Sequence, residues 1–156
     1  MDHVAILRKA SFGDHILADI IAGRKTIESR WYVNKIAPWD RISQGDTVYF
    51  KESGCHVTAR AHISKVLQYT NLTPETVAEI ITKYGKHIAP NLPEEEFFVW
   101  AQNHSNKNYC ILVFLEKVAR VSPFDIDKKG FGSACAWLVV DDIRKIVLNK
   151  PHGRQN

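Results

Sequence analysis

The sequence is poor in cysteine and has no long apolar run. Its 156 residues include three cysteines, Cys55, Cys110 and Cys135, which lie far apart and form no CxxC pair. An odd number of scattered cysteines predicts free thiols rather than a disulfide framework or a zinc site. Because no apolar stretch approaches the roughly 18 residues that span a bilayer, no membrane segment is predicted.

Signals for export, metals and cofactors are also missing. The first residues, Met1 to Val4, lack the basic and then apolar pattern of a signal peptide, so a cytoplasmic location is expected. The histidines are scattered and the acidic residues do not cluster, so neither a metal site nor a cofactor is predicted. Without repeats, low-complexity tracts or linkers, we expect residues 1–150 to form one domain, followed by a frayed tail at 151–156.

The charge balance is mildly basic. Lys and Arg outnumber Asp and Glu by 21 to 17, which gives a formal net charge of +4. This excess favours an anionic partner, of which RNA is the commonest, but many soluble proteins carry a similar charge for solubility alone. Charge therefore does not distinguish a nucleic-acid binder from an ordinary globular protein.

Hydrophobic periodicity predicts short strands interspersed with three helices. The first helix is expected after Asp14 as N-cap and to end at Gly23, the second runs from Thr73 to Gly85, and the third opens at Pro93. Strands are predicted at residues 3–7, 26–31, 47–51, 57–69, 109–121 (one bent strand or a pair) and 137–140. The hairpin-like grouping indicates an α+β domain whose mostly antiparallel sheet can close into a barrel.

The segment from Gly23 to Arg30 concentrates charge at a helix-to-strand turn. Glu28 and Arg30 are two residues apart on a predicted strand and project from one face, and Lys25 lies on the turn beside them. Such a trio can hold a phosphate or a planar amide, and its carboxylate can accept hydrogen bonds from a base edge. An exposed ion pair on a strand edge gives the same pattern, so the segment alone leaves both interpretations open.

The spacing Gly23-x-Lys25-x-x-Glu28-x-Arg30 resembles the GxKxxExR signature of the ASCH domain family. The preceding helix and the strand entry at residues 45–48 are similar as well, and residues 131–148 would complete the barrel. Since ASCH domains are similar to PUA domains, the resemblance implies a PUA-like, mostly antiparallel β-barrel flanked by about three helices. It also implies a cleft between barrel and helices that binds RNA or a (modified) nucleotide.

The resemblance carries an amidohydrolase alternative. Small amidohydrolases that deacetylate N4-acetylcytidine resemble this chain at residues 23–27. In them the lysine that matches Lys25 is thought to assist a threonine nucleophile, and a distant glutamate completes the set. That threonine aligns with Glu28, and Thr26 lies two positions too early, so the match departs from the enzymes at their nucleophile.

A second subgroup of the ASCH family is suspected of ribonuclease activity, which this chain would carry out without a metal ion. Such cleavage needs a base, an acid and a cation for the developing charge. Lys25, Glu28 and Arg30, with His56 or His62, would supply these groups. If the chain is an enzyme, Lys25 and Glu28 are therefore the predicted catalytic residues in either alternative.

Further RNA-binding residues are predicted from aromatic and basic side chains. Trp31 and Trp39 flank the signature and would stack on bases, unless these rings cap the barrel. Lys51 at a strand end and Lys129 in the glycine-rich loop 128–133 would contact the RNA backbone, unless they belong to a solvated strand end and an ordinary turn. The loop does not match a P-loop, because its lysines precede its glycines.

The state of Lys25 and the shape of the cleft distinguish the hypotheses. An exposed Lys25 on a broad basic face would favour RNA binding, and a buried Lys25 near a hydroxyl would favour an enzyme. A deep, closed pocket would favour a regulator that binds a small molecule. The sequence leaves the oligomeric state open.

Overall fold

The computed structural model describes residues 1–9, 15–104 and 106–148. The predicted N-cap Asp14 and the predicted tail 151–156 lie outside these residues. The helices within them are α1 (Ile16–Ile21), α2 (Pro74–Ile88) and α3 (Glu94–His104). The strands are β1 (Asp2–Leu7), β2 (Ile27–Tyr32), β3 (Thr47–Glu52), β4 (Val57–Tyr69), β5 (Tyr109–Ile126), β6 (Trp137–Val140) and β7 (Val147–Leu148).

A single curled sheet forms a half-barrel. Its strand order is β2-β5-β4-β3-β1-β6, and β7 pairs with β5. Of the six pairings in the described residues, β1 with β3 is parallel and the other five are antiparallel. Register shifts between the long strands β4 and β5 add the local twist that curls the sheet. The predicted α+β class with a mostly antiparallel sheet is confirmed.

The core inside the curl is packed by pairing large with small side chains. Val48 and Phe50 of β3 are fully buried and lie opposite Ala61 and Ala59 of β4. Because an alanine leaves space above the sheet, the bulky neighbour across the strand can fill it. Helix α1 packs on the same core through the fully buried Ile20. This contact holds α1 in place, and the charged segment from Gly23 to Arg30 follows directly after the helix.

Helices α2 and α3 form an antiparallel hairpin beside the sheet. The predicted end of α2 at Gly85 is wrong, because the helix continues to Ile88. Gly85 is buried against α3, and a Cβ at this position would lie 3.1 Å from Phe97 Cε2. The glycine thus allows close helix packing instead of ending the helix, and α3 is held tightly to α2.

A buried histidine links the first strand to the last part of the sheet. His3 is fully buried, with Nε2 2.9 Å from Asp46 Oδ2 and with Nδ1 3.1 Å from Trp137 Nε1. An indole N–H only donates, so Nδ1 accepts this bond and the ring proton lies on Nε2. Burial lowers the pKa of His3 below its usual 6.5, against the opposing effect of Asp46.

We expect the free energy of unfolding to fall as the pH drops below 6.5, the ordinary pKa of an unfolded histidine. Below this pH the unfolded chain binds a proton at His3 that the folded chain takes up only at lower pH, so acid favours unfolding. Urea unfolding above and well below pH 6.5 measures the difference, which should be smaller in His3→Gln. An equal pH dependence in both proteins would contradict the assignment.

Candidate functional site

A cavity of about 700 Å³ lies between the mouth of the half-barrel and the α2–α3 hairpin. Its lining comes from the end of β1, from α1, from β2, from the connection 88–93 and from one face of α3. The volume falls within the roughly 300–1,000 Å³ of small-molecule sites. The Gly23–Arg30 segment opens into this cavity, because Gly23 adopts φ 77° and turns the chain from α1 toward β2.

Strand β2 places Glu28 and Arg30 together in the cavity lining, as the two-residue spacing predicted. Glu28 is 7% exposed, and its Oε1 lies 3.8 Å from Arg30 Nε. Among the described residues, neither Glu28 Oε2 nor Arg30 Nε has a hydrogen-bond partner, although both atoms are buried. Burying an unpartnered polar group costs about 1–3 kcal/mol, so this acceptor and donor are poised to pair with a third group.

The guanidinium of Arg30 also spans the open side of the half-barrel. Its two terminal nitrogens each lie 3.4 Å from a backbone carbonyl oxygen, one of Ala136 and one of Ile6. Its Cζ lies 5.1 Å from the ring centroid of Trp137, at a distance suited to a cation–π contact. Arg30 is thereby held by the far edge of the sheet and has a defined direction in the cavity.

Lys25 is buried, at 6% exposure, and is not part of a broad basic face. Its Nζ donates hydrogen bonds to the backbone oxygens of Ile27, at 2.9 Å, and Ile88, at 2.6 Å. These bonds join the start of β2 to the C-terminal end of α2. The burial agrees with the enzymatic hypothesis, but both of these bonds go to carbonyls and not to a hydroxyl.

Asp19 is a buried carboxylate of the site that the sequence analysis missed. Its Oδ1 accepts a hydrogen bond from Arg24 Nε at 2.9 Å, and its Oδ2 accepts one from Asn91 Nδ2 at 2.7 Å. Its backbone oxygen also accepts from the amides of Arg24 and Lys25. An acidic residue within the apolar stripe of α1 was the available signal, since such a residue needs partners when the helix is buried.

One wall of the cavity is aromatic. Trp31 meets Trp100 edge-on, with centroids 5.7 Å apart, and Trp100 lies 4.2 Å from the His104 ring. Trp100 packs against the core, is half-buried and lines the cavity. The spacing Glu96, Trp100 and His104 was the available signal, because residues four apart share one face of a helix.

His104 adds a titratable group to this wall. Its Nδ1 lies 2.8 Å from the backbone oxygen of Trp100. A carbonyl only accepts, so Nδ1 carries the proton of the neutral ring and Nε2 keeps its lone pair. Burial lowers the pKa of His104 below its usual 6.5 against the opposing effect of the hydrogen bond to Trp100, and the charge of Lys107 lowers it further. His104 is therefore neutral at pH 7.

Other predicted binding residues lie elsewhere. Trp39 packs against Tyr109, with ring centroids 5.0 Å apart. Lys51 lies within β3, and Lys129 is exposed in the loop after β5. None of the three lines the cavity, whereas Trp31 does. Contact of Trp39, Lys51 and Lys129 with RNA stays a prediction that the cavity does not support.

The additional groups named by the enzymatic alternatives are also outside the cavity lining. Thr26 Oγ1 lies 3.3 Å from His87 Nδ1 at the surface. His56 pairs with Asp125 at the opposite end of β5, and His62 lies on β4. The structure therefore brings no predicted threonine nucleophile and no predicted histidine base to the cavity.

The cavity is balanced in charge. Three of its lining residues are cations and three are anions: Arg8, Lys25, Arg30, Asp19, Glu28 and Glu96. With His104 neutral, the formal charges cancel. A balanced site favours ligands that are neutral and rich in hydrogen-bonding groups over bare phosphates.

Two further observations apply to residues 1–9, 15–104 and 106–148. They contain no group of three or more His, Cys, Asp or Glu side chains placed to hold a metal ion. They also contain no helix with the length and apolar character that crossing a bilayer requires.

The fold matches solved structures of an ASCH protein from Zymomonas mobilis. The structure of the protein without a mutation aligns with a TM-score of 0.59 and 15% sequence identity. The alignment covers 89% of this chain and 87% of the Zymomonas chain. A single-residue mutant of the same protein gives 0.62 over 92% and 91%, at 16% identity. At these identities the likeness shows the fold, including the half-barrel and the three helices.

Sequence comparison adds a partial match. No protein-family model matches the sequence. The glutamate–tRNA ligase of Aquifex aeolicus is 26% identical over 95 residues, which cover 59% of this chain. The matched region is 20% of the ligase, so the chain spans about a fifth of the length of this curated relative.

Proposed function

We propose that this chain, which has the fold of an ASCH domain, binds one nucleobase in its cavity, either as part of RNA or as a (modified) nucleoside or nucleotide. The observation that carries the proposal is the buried, unpartnered Glu28 Oε2 beside the unpartnered Arg30 Nε. A carboxylate accepts from an amine or ring N–H, and a guanidinium donates to a ring nitrogen or carbonyl. Base edges offer donors and acceptors side by side.

The aromatic wall supports a flat ligand. Trp31 and Trp100 line the same cavity as Glu28 and Arg30, so one ligand can contact both groups of residues. Stacking of a base on an aromatic side chain contributes about 1–3 kcal/mol. Because the cavity has the volume of a small-molecule site, an RNA would enter it with one unstacked base.

The balanced charge supports recognition of the base more than of its phosphate. A neutral nucleoside would gain little from attraction at long range, and its binding should depend weakly on salt. The phosphates of an RNA would remain outside the cavity, where the net positive charge of the chain attracts them. We therefore expect RNA binding, unlike nucleoside binding, to weaken as salt rises.

Titration of the tryptophan fluorescence tests the proposal. Cytidine, N4-acetylcytidine, uridine, adenosine, guanosine and a short single-stranded RNA are added in turn, at low and moderate salt. We expect at least one nucleoside to quench the signal, since Trp31 and Trp100 would contact it. Trp100→Leu should lower its affinity about tenfold, whereas Trp39→Leu, outside the cavity, should not. No quenching by any ligand, or equal losses in both variants, would contradict the proposal.

A second candidate function, cleavage of a bound RNA, is favoured by His104. A neutral imidazole whose Nε2 keeps its lone pair can take a proton from a ribose hydroxyl. The 2′-oxygen then attacks the adjacent phosphorus and forms a 2′,3′-cyclic phosphate. The 5′-oxygen leaves with a proton taken from water, and His104 returns its proton to solvent. The RNA samples of the titration, run on a gel, decide this: cleavage by the wild type and not by His104→Gln supports it. Intact RNA leaves the chain as a binding module.

A further inference from the structure

A second cavity lies on the outer face of the α2–α3 hairpin. It has a volume of about 470 Å³ and apolar walls from Ile81 of α2 and from Phe97 and Ala101 of α3. Phe98, on its rim, is 70% exposed, which makes it the most exposed large hydrophobic side chain in the described residues, and Val99 beside it is also exposed. A large exposed apolar side chain on the rim of an apolar groove is typical of an interaction site.

The two sides of this groove carry opposite charges. The groove is lined by Lys83 and Lys86 on the α2 side and by Glu94 on the α3 side, and Glu95 follows Glu94 just outside the lining; all four are exposed. Lys86 Nζ lies 2.8 Å from Glu94 Oε1, so the two sides are level at this point of the hairpin. Near this ion pair the groove is thus bordered by basic residues of α2 and acidic residues of α3, and one turn before Lys83 the α2 side carries the exposed Glu79.

We propose that a second copy of this chain docks on the groove about a two-fold axis that runs along it. Such an axis exchanges the two helices, so α2 of each copy lies over α3 of its partner. The basic residues Lys83 and Lys86 on α2 of each copy then face the acidic residues on α3 of the other copy. The exposed Phe98 side chains of both copies enter the apolar space between the hairpins.

The arrangement of charges favours a copy of this chain over a foreign partner of one charge. An acidic peptide would be attracted by Lys83 and Lys86 but repelled by Glu94 and Glu95, and a basic peptide would meet the reverse. The rotated copy satisfies both sides at once. The residues that line this groove and those that line the large cavity do not overlap, so docking leaves the nucleobase site unobstructed.

Sedimentation equilibrium over a wide range of protein concentration tests the proposal. The wild type should pass from monomer to dimer. Lys83→Glu and Glu95→Lys should each raise the dimer dissociation constant about tenfold. In a two-fold dimer position 83 of each copy faces position 95 of the other, so either substitution creates two contacts between like charges. An equimolar mixture of these two variants should associate more tightly than either alone, since both contacts then join opposite charges. A contact between copies that joins position 83 of one to position 95 of the other gives this rescue.

The apolar contact has its own pair of variants. Phe98→Ser should abolish dimerisation, whereas Ile36→Ser, which removes an exposed apolar side chain far from the groove, should not. Circular dichroism confirms that each variant is folded, as expected for exposed positions. A monomer at every concentration, a dimer that survives Phe98→Ser, or a mixture without rescue would overturn the proposal. None of these results depends on whether the large cavity binds a nucleobase.

Discussion

Glu28→Gln should weaken nucleoside binding about tenfold to hundredfold and leave the chain folded. Hydrogen bonds to a charged group contribute about 1.5–3 kcal/mol, and glutamine replaces one acceptor oxygen of the carboxylate with a donor. The fold should tolerate the change because the contact of Glu28 with Arg30 is long, at 3.8 Å, and because an uncharged amide is cheaper to bury. The measurement is a fluorescence titration with the nucleoside that the wild type binds best.

Glu116→Gln is the matched control for this substitution. Glu116 is an exposed glutamate on β5, outside the cavity lining, so its change removes the same charge from the molecule. Its affinity should equal that of the wild type. A folded Glu28→Gln protein with unchanged affinity for every nucleoside would exclude the floor of this cavity as the binding site.

Lys25→Met should lower the free energy of unfolding by about 3 kcal/mol, because two buried carbonyl oxygens, of Ile27 and Ile88, lose their donor. Methionine fills similar space but cannot donate a hydrogen bond. Urea unfolding measures the effect. Lys129→Met, at an exposed position, should change stability by no more than about 0.5 kcal/mol.

The same substitution separates two roles for Lys25. If Lys25 joins β2 to α2, its loss weakens ligand binding by loosening the cavity wall, and the losses of stability and affinity occur together. Undiminished stability with a large loss of affinity would instead make Lys25 a direct ligand contact. Binding by a Lys25 variant is therefore informative only when its stability is measured beside it.

The placement of Glu28 beside Arg30 was predictable because the relevant geometry is local. Strand periodicity put Glu28 and Arg30 on one face, and Gly23 marked the turn that leads to them. The role of Lys25 was not predictable in this way. Its partner Ile88 lies 63 residues away, and no local pattern links the end of α2 to this turn.

The aromatic wall was missed for a related reason. Trp100 and His104 reach the cavity because α3 packs on α2 through Phe97 and Gly85, and that packing is a tertiary arrangement. From the sequence, a tryptophan on an amphipathic helix is expected in the core. The parallel pairing of β1 with β3 was not predicted either, since the hairpin-like grouping of the strands indicated only that the sheet is mostly antiparallel.

The contacts of Arg30 make the large cavity part of the architecture of the sheet. A backbone ladder fixes the spacing of neighbouring strands near 4.8 Å, whatever their side chains contact. Between β2 and the opposite edge of the sheet, no backbone ladder forms this connection. The guanidinium of Arg30 makes two long contacts with backbone oxygens there and lies over the ring of Trp137. The distance between β2 and the opposite edge therefore depends on the conformation of the Arg30 side chain. A ligand that engaged Arg30 Nε would therefore also act on the contacts of this side chain with the backbone oxygens of Ile6 and Ala136.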